Sequence, residues 1–430
     1  MLEIQDIGHR GVGIGRHGGK VVMVPFSAPG DRAEVHIVSG HKSYCEARVV
    51  RLVERSPLRR VPPCPYFGRC GGCQLQHLEL SYQRSLKERL FRETMTHRAL
   101  VDPGAVGEIM GAPEGLGYRS RLDMHLTRGD KGHLGFMEWG SRSVVPVRRC
   151  LVASLRLNRL LAPAQRLLRK TTASHITRVE MACDASGRGA TLTLYARGGD
   201  VLSEGNAHVP WLRGLYTVEG RGGQLRTLWE REGEPRGVIY HVPHPRSESE
   251  LSLAAWPGVF RQVNPTANRM LVSKVLEWAA EAHPRRVLDL YAGMGNLSLP
   301  VSSLCEEVTA VEINPLAVDN GRENCLRNGV DNVRWVRGSA KRVMGKMVED
   351  GEPFDLLILD PPRAGAKEVI EEIVCLRPER IIYVSCDPAT LARDLVEIQG
   401  HKIYRVKESF PVDMFPQTFH LESVTLLERR

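Results

Sequence analysis

Val287-Leu288-Asp289-Leu290-Tyr291-Ala292-Gly293-Met294-Gly295-Asn296 runs from an apolar strand into a glycine turn. Gly293 and Gly295 let the backbone approach a ligand closely, and a helix is expected next. Glu312 ends the following strand-like run, 23 residues after Asp289. An acid in that place can accept both hydroxyls of a ribose. Working outward, strand-like runs at 286–290, 308–313, 333–336, 354–360 and 380–385 alternate with helical stretches. That alternation predicts a parallel, doubly wound α/β sheet. Runs at 402–407 and 422–427 read as an antiparallel edge hairpin. Ser298 stands where a dinucleotide fingerprint has its third glycine, and no phosphate-binding lysine follows the turn. A nicotinamide site and a P-loop are therefore disfavoured.

Upstream the pattern changes. Residues 1–56 show short strand-like runs punctuated by glycines, and residues 1–60 carry ten Lys and Arg against six acids. Short strands, tight turns and a basic surface suit a five-stranded oligonucleotide-binding (OB-like) barrel. A proline-rich hinge covers 57–65. A helix is expected from Ser81, as a candidate N-cap, to about Leu100, with Leu86, Leu90 and Phe91 on one stripe. Residues 115–250 read as a mixed, mostly β insertion. The whole gives three domains: 1–56, 57–254 and 255–430.

The chain has 430 residues, net charge +9 and 59 Lys+Arg. This modest basic excess is compatible with nucleic acid and equally with solvated charged faces. No apolar run approaches the ~18–20 residues of a membrane span. The N-terminus lacks a basic segment followed by an apolar one, so no signal peptide, no membrane and a cytoplasmic site are expected. Ten cysteines without an export signal argue for a reducing compartment.

The Asp-x-Tyr-x-Gly-x-Gly turn with its downstream acid is similar to class I S-adenosylmethionine-dependent methyltransferases. After the fourth strand comes Asp360-Pro361-Pro362-Arg363-Ala364-Gly365. Amino-methylating enzymes usually place an aromatic residue after Pro-Pro, and RNA cytosine-5 enzymes a cysteine; neither is present. Cys386 instead lies at the carboxyl end of the fifth strand, where ligands of open α/β sheets bind. Carbon-5 of uracil is a poor nucleophile. A thiolate adding to C6 makes an enolate whose C5 can attack a sulfonium methyl, and a base must then remove the C5 proton. Glu422, beyond Phe415-Pro416-x-Thr418-x-His420, is the candidate base.

A separate cluster, Cys64-x5-Cys70-x2-Cys73, lies in a glycine-rich loop. Such thiols bind zinc or iron–sulfur, and spacing leaves both open. Cys150 is the best candidate for a fourth ligand. His77 is an alternative candidate ligand, but reads in preference as a surface or RNA-contact residue.

Three motifs carry a resemblance that runs from near residue 1 to the end: Ser385-Cys386-Asp387-Pro388-x-Thr390-x-x-Arg393-Asp394, Asp360-Pro361-Pro362-Arg363-x-Gly365 and Phe415-Pro416-x-Thr418-x-His420-x-Glu422. With Phe260-Arg261-Gln262-Val263-Asn264 they resemble the bacterial RNA uracil-5-methyltransferase family. The resemblance implies Cys386 as nucleophile and Glu422 as base. It implies that Gln262, Tyr291, Asn296, Glu312 and Asp360, beside Gly293 and Gly295, line the pocket for S-adenosylmethionine and the target base. It further implies a TRAM-like barrel, and a [4Fe–4S] cluster on Cys64, Cys70, Cys73 and Cys150 in the central α+β domain. The helix after the cluster is expected to pack on the catalytic domain. Ser339 stands where relatives often carry an acid or amide for the adenine. The implied substrate is a flipped-out uridine of RNA, 23S rRNA in preference to tRNA, handled by a monomer. Cytosine-5 methylation and a non-enzymatic RNA-binding or ribosome-assembly role are the rival readings.

Overall fold

The computed structural model describes residues 1–127, 132–169, 176–197, 211–219 and 224–430; the 115–250 stretch lies partly outside them. Five strands, β1 (Leu2–Ile7), β2 (Val12–His17), β3 (Lys20–Pro25), β4 (Arg32–Gly40) and β5 (Tyr44–Glu54), close a barrel in the order β1-β2-β3-β5-β4. Leu2, Ile4, Val22, Val24 and Ala47 fill it from alternate positions, as period-2 patterning requires. Helix α1 (Leu80–His97) follows. Its N-cap is Glu79 rather than Ser81, because the chain is still extended at Glu79 and already helical one residue later. Neither side chain caps it; the Ser81 carbonyl accepts from Ser85 Oγ at 3.2 Å.

The central part holds β6 (Arg121–Leu126), β7 (Leu134–Met137), β8 (Val144–Pro146), α2 (Leu155–Leu168), β9 (Ile176–Cys183), β10 (Ala190–Ala196), β11 (Leu212–Glu219) and β12 (Gln224–Glu230). Among the described residues these strands form one sheet, ordered β12-β11-β10-β9-β6-β7-β8. Helix α2 buries Leu157, Leu160, Leu161, Ala164 and Leu168 against it, positions that share one helical face. A hairpin of β13 (Val238–His244) and β14 (Ser247–Ala255) leads into the last domain.

There α3 (Pro265–Ala282), β15 (Arg286–Leu290), α4 (Ser298–Ser302), β16 (Glu307–Glu312), α5 (Pro315–Asn328), β17 (Val333–Arg337), α6 (Ala340–Glu349), β18 (Leu356–Leu359), α7 (Ile370–Leu376), β19 (Arg380–Ser385), α8 (Pro388–Gly400), β20 (Tyr404–Val412) and β21 (Glu422–Arg429) succeed one another. The sheet order is β17-β16-β15-β18-β19-β21-β20, the first five strands parallel. Leu356-Leu357-Ile358-Leu359 is buried throughout, because helices cover both faces of a parallel sheet. Three helices begin on an Asx-Pro pair: Asn264-Pro265, Asn314-Pro315 and Asp387-Pro388. In each, the Asx side chain accepts a backbone N–H of the first turn and proline presets the helical φ.

The closing strands form an antiparallel hairpin at the sheet edge, as read, with β20 outermost and β21 inside it. β21 lies between β19 and β20 with its first six residues buried. The loop 413–421 between the pair carries the Phe-Pro-x-Thr-x-His motif. Helix α1 packs on this sheet from outside its own sequence neighbourhood: Phe91 and Met95 join the apolar layer of Leu391, Leu395 and Tyr404.

Candidate active site

The turn after β15 needs positive φ at Tyr291 (60°) and Gly293 (57°). A Cβ on Gly293 would meet no atom within 4 Å, so this turn presents bare backbone to open space. Glu312, at the end of β16, accepts from the Gly293 N–H at 2.9 Å and from the Asn314 N–H at 2.7 Å. Gln262, Tyr291, Gly293, Glu312, Ser339 and Asp360 line a cavity of about 600 Å³.

Gly295 and Asn296 do not line it. Gly295 has φ 94° and is packed so that a Cβ would strike Leu299. The Asn296 amide is consumed by Asn268, with reciprocal bonds of 2.9 and 3.0 Å, and by the Tyr240 hydroxyl at 3.3 Å. Ser298 has a structural reason: its hydroxyl donates to the buried carboxylate of Asp289, whose pKa burial pushes up to about 7.

The same cavity reaches Cys386, Phe415, His420 and Glu422. In the β19–β21 ladder Ser385 pairs with Ser423. Cys386 follows directly on Ser385 and Glu422 directly precedes Ser423, so both side chains leave the end of this strand pair and line the same cavity. Asp387 caps α8 through Ala389 and Thr390 N–H groups, which fixes Cys386 in the strand-to-helix turn.

Burial dominates the electrostatics. The Cys386 thiol is pushed up to about 12, first by burial, then by the Glu422 and Asp360 charges, against the pull of Arg363. Glu422 is 3% exposed, and its carboxyl is held well above the usual carboxylate range by burial and by Asp360, again opposed by Arg363. Its Oε2 has no hydrogen-bond partner among the described residues. Asp360 is raised by burial to about 7. His420 is lowered to about 4, chiefly by burial and then by Arg363, so its imidazole is neutral at physiological pH. Its Nδ1 lies 3.5 Å from Arg363 Nη2.

Cys64, Cys70, Cys73 and Cys150 line a second cavity, of about 140 Å³, with Arg119. Burial raises the Cys70 thiol to about 11 and that of Cys73 to about 12. All ten cysteines are free. Among the described residues no three His, Cys, Asp or Glu side chains are gathered as ligands of a metal ion. His77 is corrected: it is fully buried, not a surface residue. Its Nε2 lies 3.1 Å from the Ser27 carbonyl of the barrel and its ring 5.5 Å from that of Phe67.

The chain is 35% identical over 429 residues to the 23S rRNA (uracil(1939)-C(5))-methyltransferase RlmD of Salmonella choleraesuis, covering 100% of this chain and 96% of that one. The protein of the same description from Alkalilimnicola ehrlichii is also 35% identical, over 434 residues, with the same coverage. The chain belongs to the RNA uracil-5-methyltransferase family. The tRNA (Uracil-5-)-methyltransferase family model matches residues 248–430 of this uracil-5-methyltransferase, and the TRAM domain model matches 2–50. Its fold is that of the Pyrococcus abyssi tRNA (uracil-54, C5)-methyltransferase solved with S-adenosyl-L-homocysteine: TM-score 0.77 at 24% identity, covering 99% of each chain.

In this uracil-5-methyltransferase several groups at or near the site had no local signal in sequence. Lys87 of α1 is buried and donates to Asp413 at 2.6 Å and to the Phe415 carbonyl at 3.0 Å. Gln417, with φ 70°, exchanges hydrogen bonds with Gln83. Only tertiary contact reveals them.

Proposed function

We propose that this enzyme transfers the methyl group of S-adenosylmethionine to C5 of a uridine in 23S rRNA. The observation that carries the reading is the shared cavity, which Cys386 and Glu422 line from the end of one strand pair while the glycine turn and Glu312 line the same space. Glu312 is assigned the ribose hydroxyls, and Gln262, Tyr291, Gly293 and Asp360 the walls around cofactor and base. Gly295 and Asn296 hold the turn from behind. A buried set of acids, Cys386, Asp360 and Glu422, is the electrostatic complement of a sulfonium cation, whose arrival favours their anionic forms.

The thiolate of Cys386 adds to C6 and the electron pair moves to make the C5 enolate. C5 takes the methyl from sulfur and releases S-adenosylhomocysteine. Glu422 then accepts the C5 proton, the C6–S bond breaks and the thiolate returns. The neutral His420 and the cationic Arg363 border this space and suit an uncharged, carbonyl-bearing base.

The basic barrel at 1–56 is assigned RNA capture. Residues 57–254 are the central domain and 255–430 the catalytic domain, with α1 docked on the latter. Cys64, Cys70, Cys73 and Cys150 are assigned a [4Fe–4S] cluster. Four thiols around one 140 Å³ cavity, beside a guanidinium, suit an anionic polynuclear centre. Its contribution is to pin the loop. The enzyme is read as a cytoplasmic monomer; among the described residues no helix is long and apolar enough to cross a membrane.

Labelled S-adenosylmethionine offered with unmodified 23S rRNA, and separately with tRNA, tests the reading. Label recovered as 5-methyluridine from rRNA supports it. Label in tRNA alone changes the substrate, and 5-methylcytidine or no transfer rejects the chemistry.

A further inference from the structure

Arg119 stands between the two cavities. Its side chain lines the four-cysteine space, and its guanidinium carbon lies 5.7 Å from the ring centre of Phe415, which lines the catalytic cavity. Among the described residues no carboxylate pairs with it; its one side-chain bond is Nε to the Tyr118 hydroxyl at 3.4 Å. A half-buried guanidinium without a paired carboxylate needs another anion; the four thiols line its cavity, together with Asp123, which does not pair with it, and Arg149. Its backbone is stitched to the Cys150 segment: Arg119 N–H donates to Val152 O at 2.8 Å, and Ser154 N–H to Arg119 O at 2.9 Å.

Three further bonds reach the same catalytic loop. The Tyr118 hydroxyl donates to Pro416 O at 3.0 Å. Gln74 and Leu75, directly after Cys73, both donate N–H groups to Gln417 O at 3.0 Å. Cysteine segments on either side of the cavity thus grip residues 415–417, five to seven residues before Glu422.

We propose that Arg119 is a positioning residue that couples the four-cysteine site to the catalytic loop. The anionic site holds the guanidinium on one side, and the guanidinium holds the Phe415 ring on the other. The proposal rests on the reading of the four cysteines as ligands of an iron–sulfur cluster.

A two-by-two comparison tests it: wild type and Arg119→Gln, each loaded and each stripped of metal by a chelator. Iron and sulfide content, visible absorption and cluster midpoint potential are read beside kcat and KM for S-adenosylmethionine. Loaded Arg119→Gln should match wild type in iron and sulfide and show a more negative potential, because a cation near the cluster is lost. Its kcat should fall about tenfold with KM little changed, stripping wild type should cause the same fall, and stripping the variant should add nothing. Arg119→Lys keeps the charge; it should keep the potential and still lose turnover on stripping, and it carries the test if the Gln variant does not fold. Losses that multiply, or an unchanged potential and kcat in the Gln variant, overturn the coupling alone. Wild type without iron or sulfide after anaerobic reconstitution overturns the cluster reading and the coupling with it.

Discussion

The backbone N–H of Gly293 donates to Glu312 Oε2 at 2.9 Å, so the glycine turn and the acid of the next strand form one unit. Glu312→Ala removes that bond, the bond from Asn314 N–H, and the proposed ribose contact. Calorimetric Kd for S-adenosylmethionine should rise about 100-fold, the loss of two charge-assisted hydrogen bonds. RNA affinity should not move. An unchanged cofactor Kd would remove Glu312 from the cofactor site.

Cys386→Ala should abolish turnover. Glu422→Gln should slow it by about 10³-fold and let a covalent protein–RNA species accumulate on denaturing gels. RNA carrying 5-fluorouridine at the target should trap wild type in the same form, since fluorine cannot leave as the proton does. A trapped species with Cys386→Ala would assign the nucleophile elsewhere.

The pH profile follows from the buried acids. Arg363 lowers the pKa of Cys386 and Glu422, both of which burial raises. Both must act as anions, so kcat should rise with pH and still be rising above about 9, past the point where an ordinary thiol has ionised. Arg363→Gln removes the stabilising cation, lifts both pKa values further and should move the rising limb to higher pH. A shift to lower pH would contradict the assignment.

Asp413 is fully buried and receives both Lys87 at 2.6 Å and Arg84 at 3.3 Å. Asp413→Asn leaves two cations uncompensated and should destabilise the α1–sheet contact by about 3–5 kcal/mol. Thermal unfolding and amide exchange in α1 would register it; native exchange there would show that the pair carries little.

The catalytic sheet was legible because its strands are short apolar runs separated by helices, and β15 and β19 fall where the periodicity puts them. Cys386, Glu422 and Glu312 lie at or next to strand ends, where that topology puts them, and line one cavity. The resemblance put Asn296 at the pocket; what the sequence did not show is that Asn268, 28 residues earlier in the chain, takes up its amide. His77 misled because nothing near it in sequence announces the barrel that covers it. The closing hairpin lies at the sheet edge as its pattern suggested, but which of its two strands faces β19 was not legible, because apolar runs carry no information about which neighbour they pair with. The Gln83–Gln417 bond, across 334 residues, lies beyond any local pattern.

Helix α1 also sets an order of events during synthesis. Ala99 O at its end accepts from Gln399 Nε2, 300 residues later in the chain. At about 5–20 residues per second, Phe91 and Met95 wait roughly 15–60 s for the surface that covers them. Until then Phe91 and Met95 have only Ala99, Val101 and Val106 from their own cluster to pack on, which marks this end of the helix as the segment that a chaperone would have to shield.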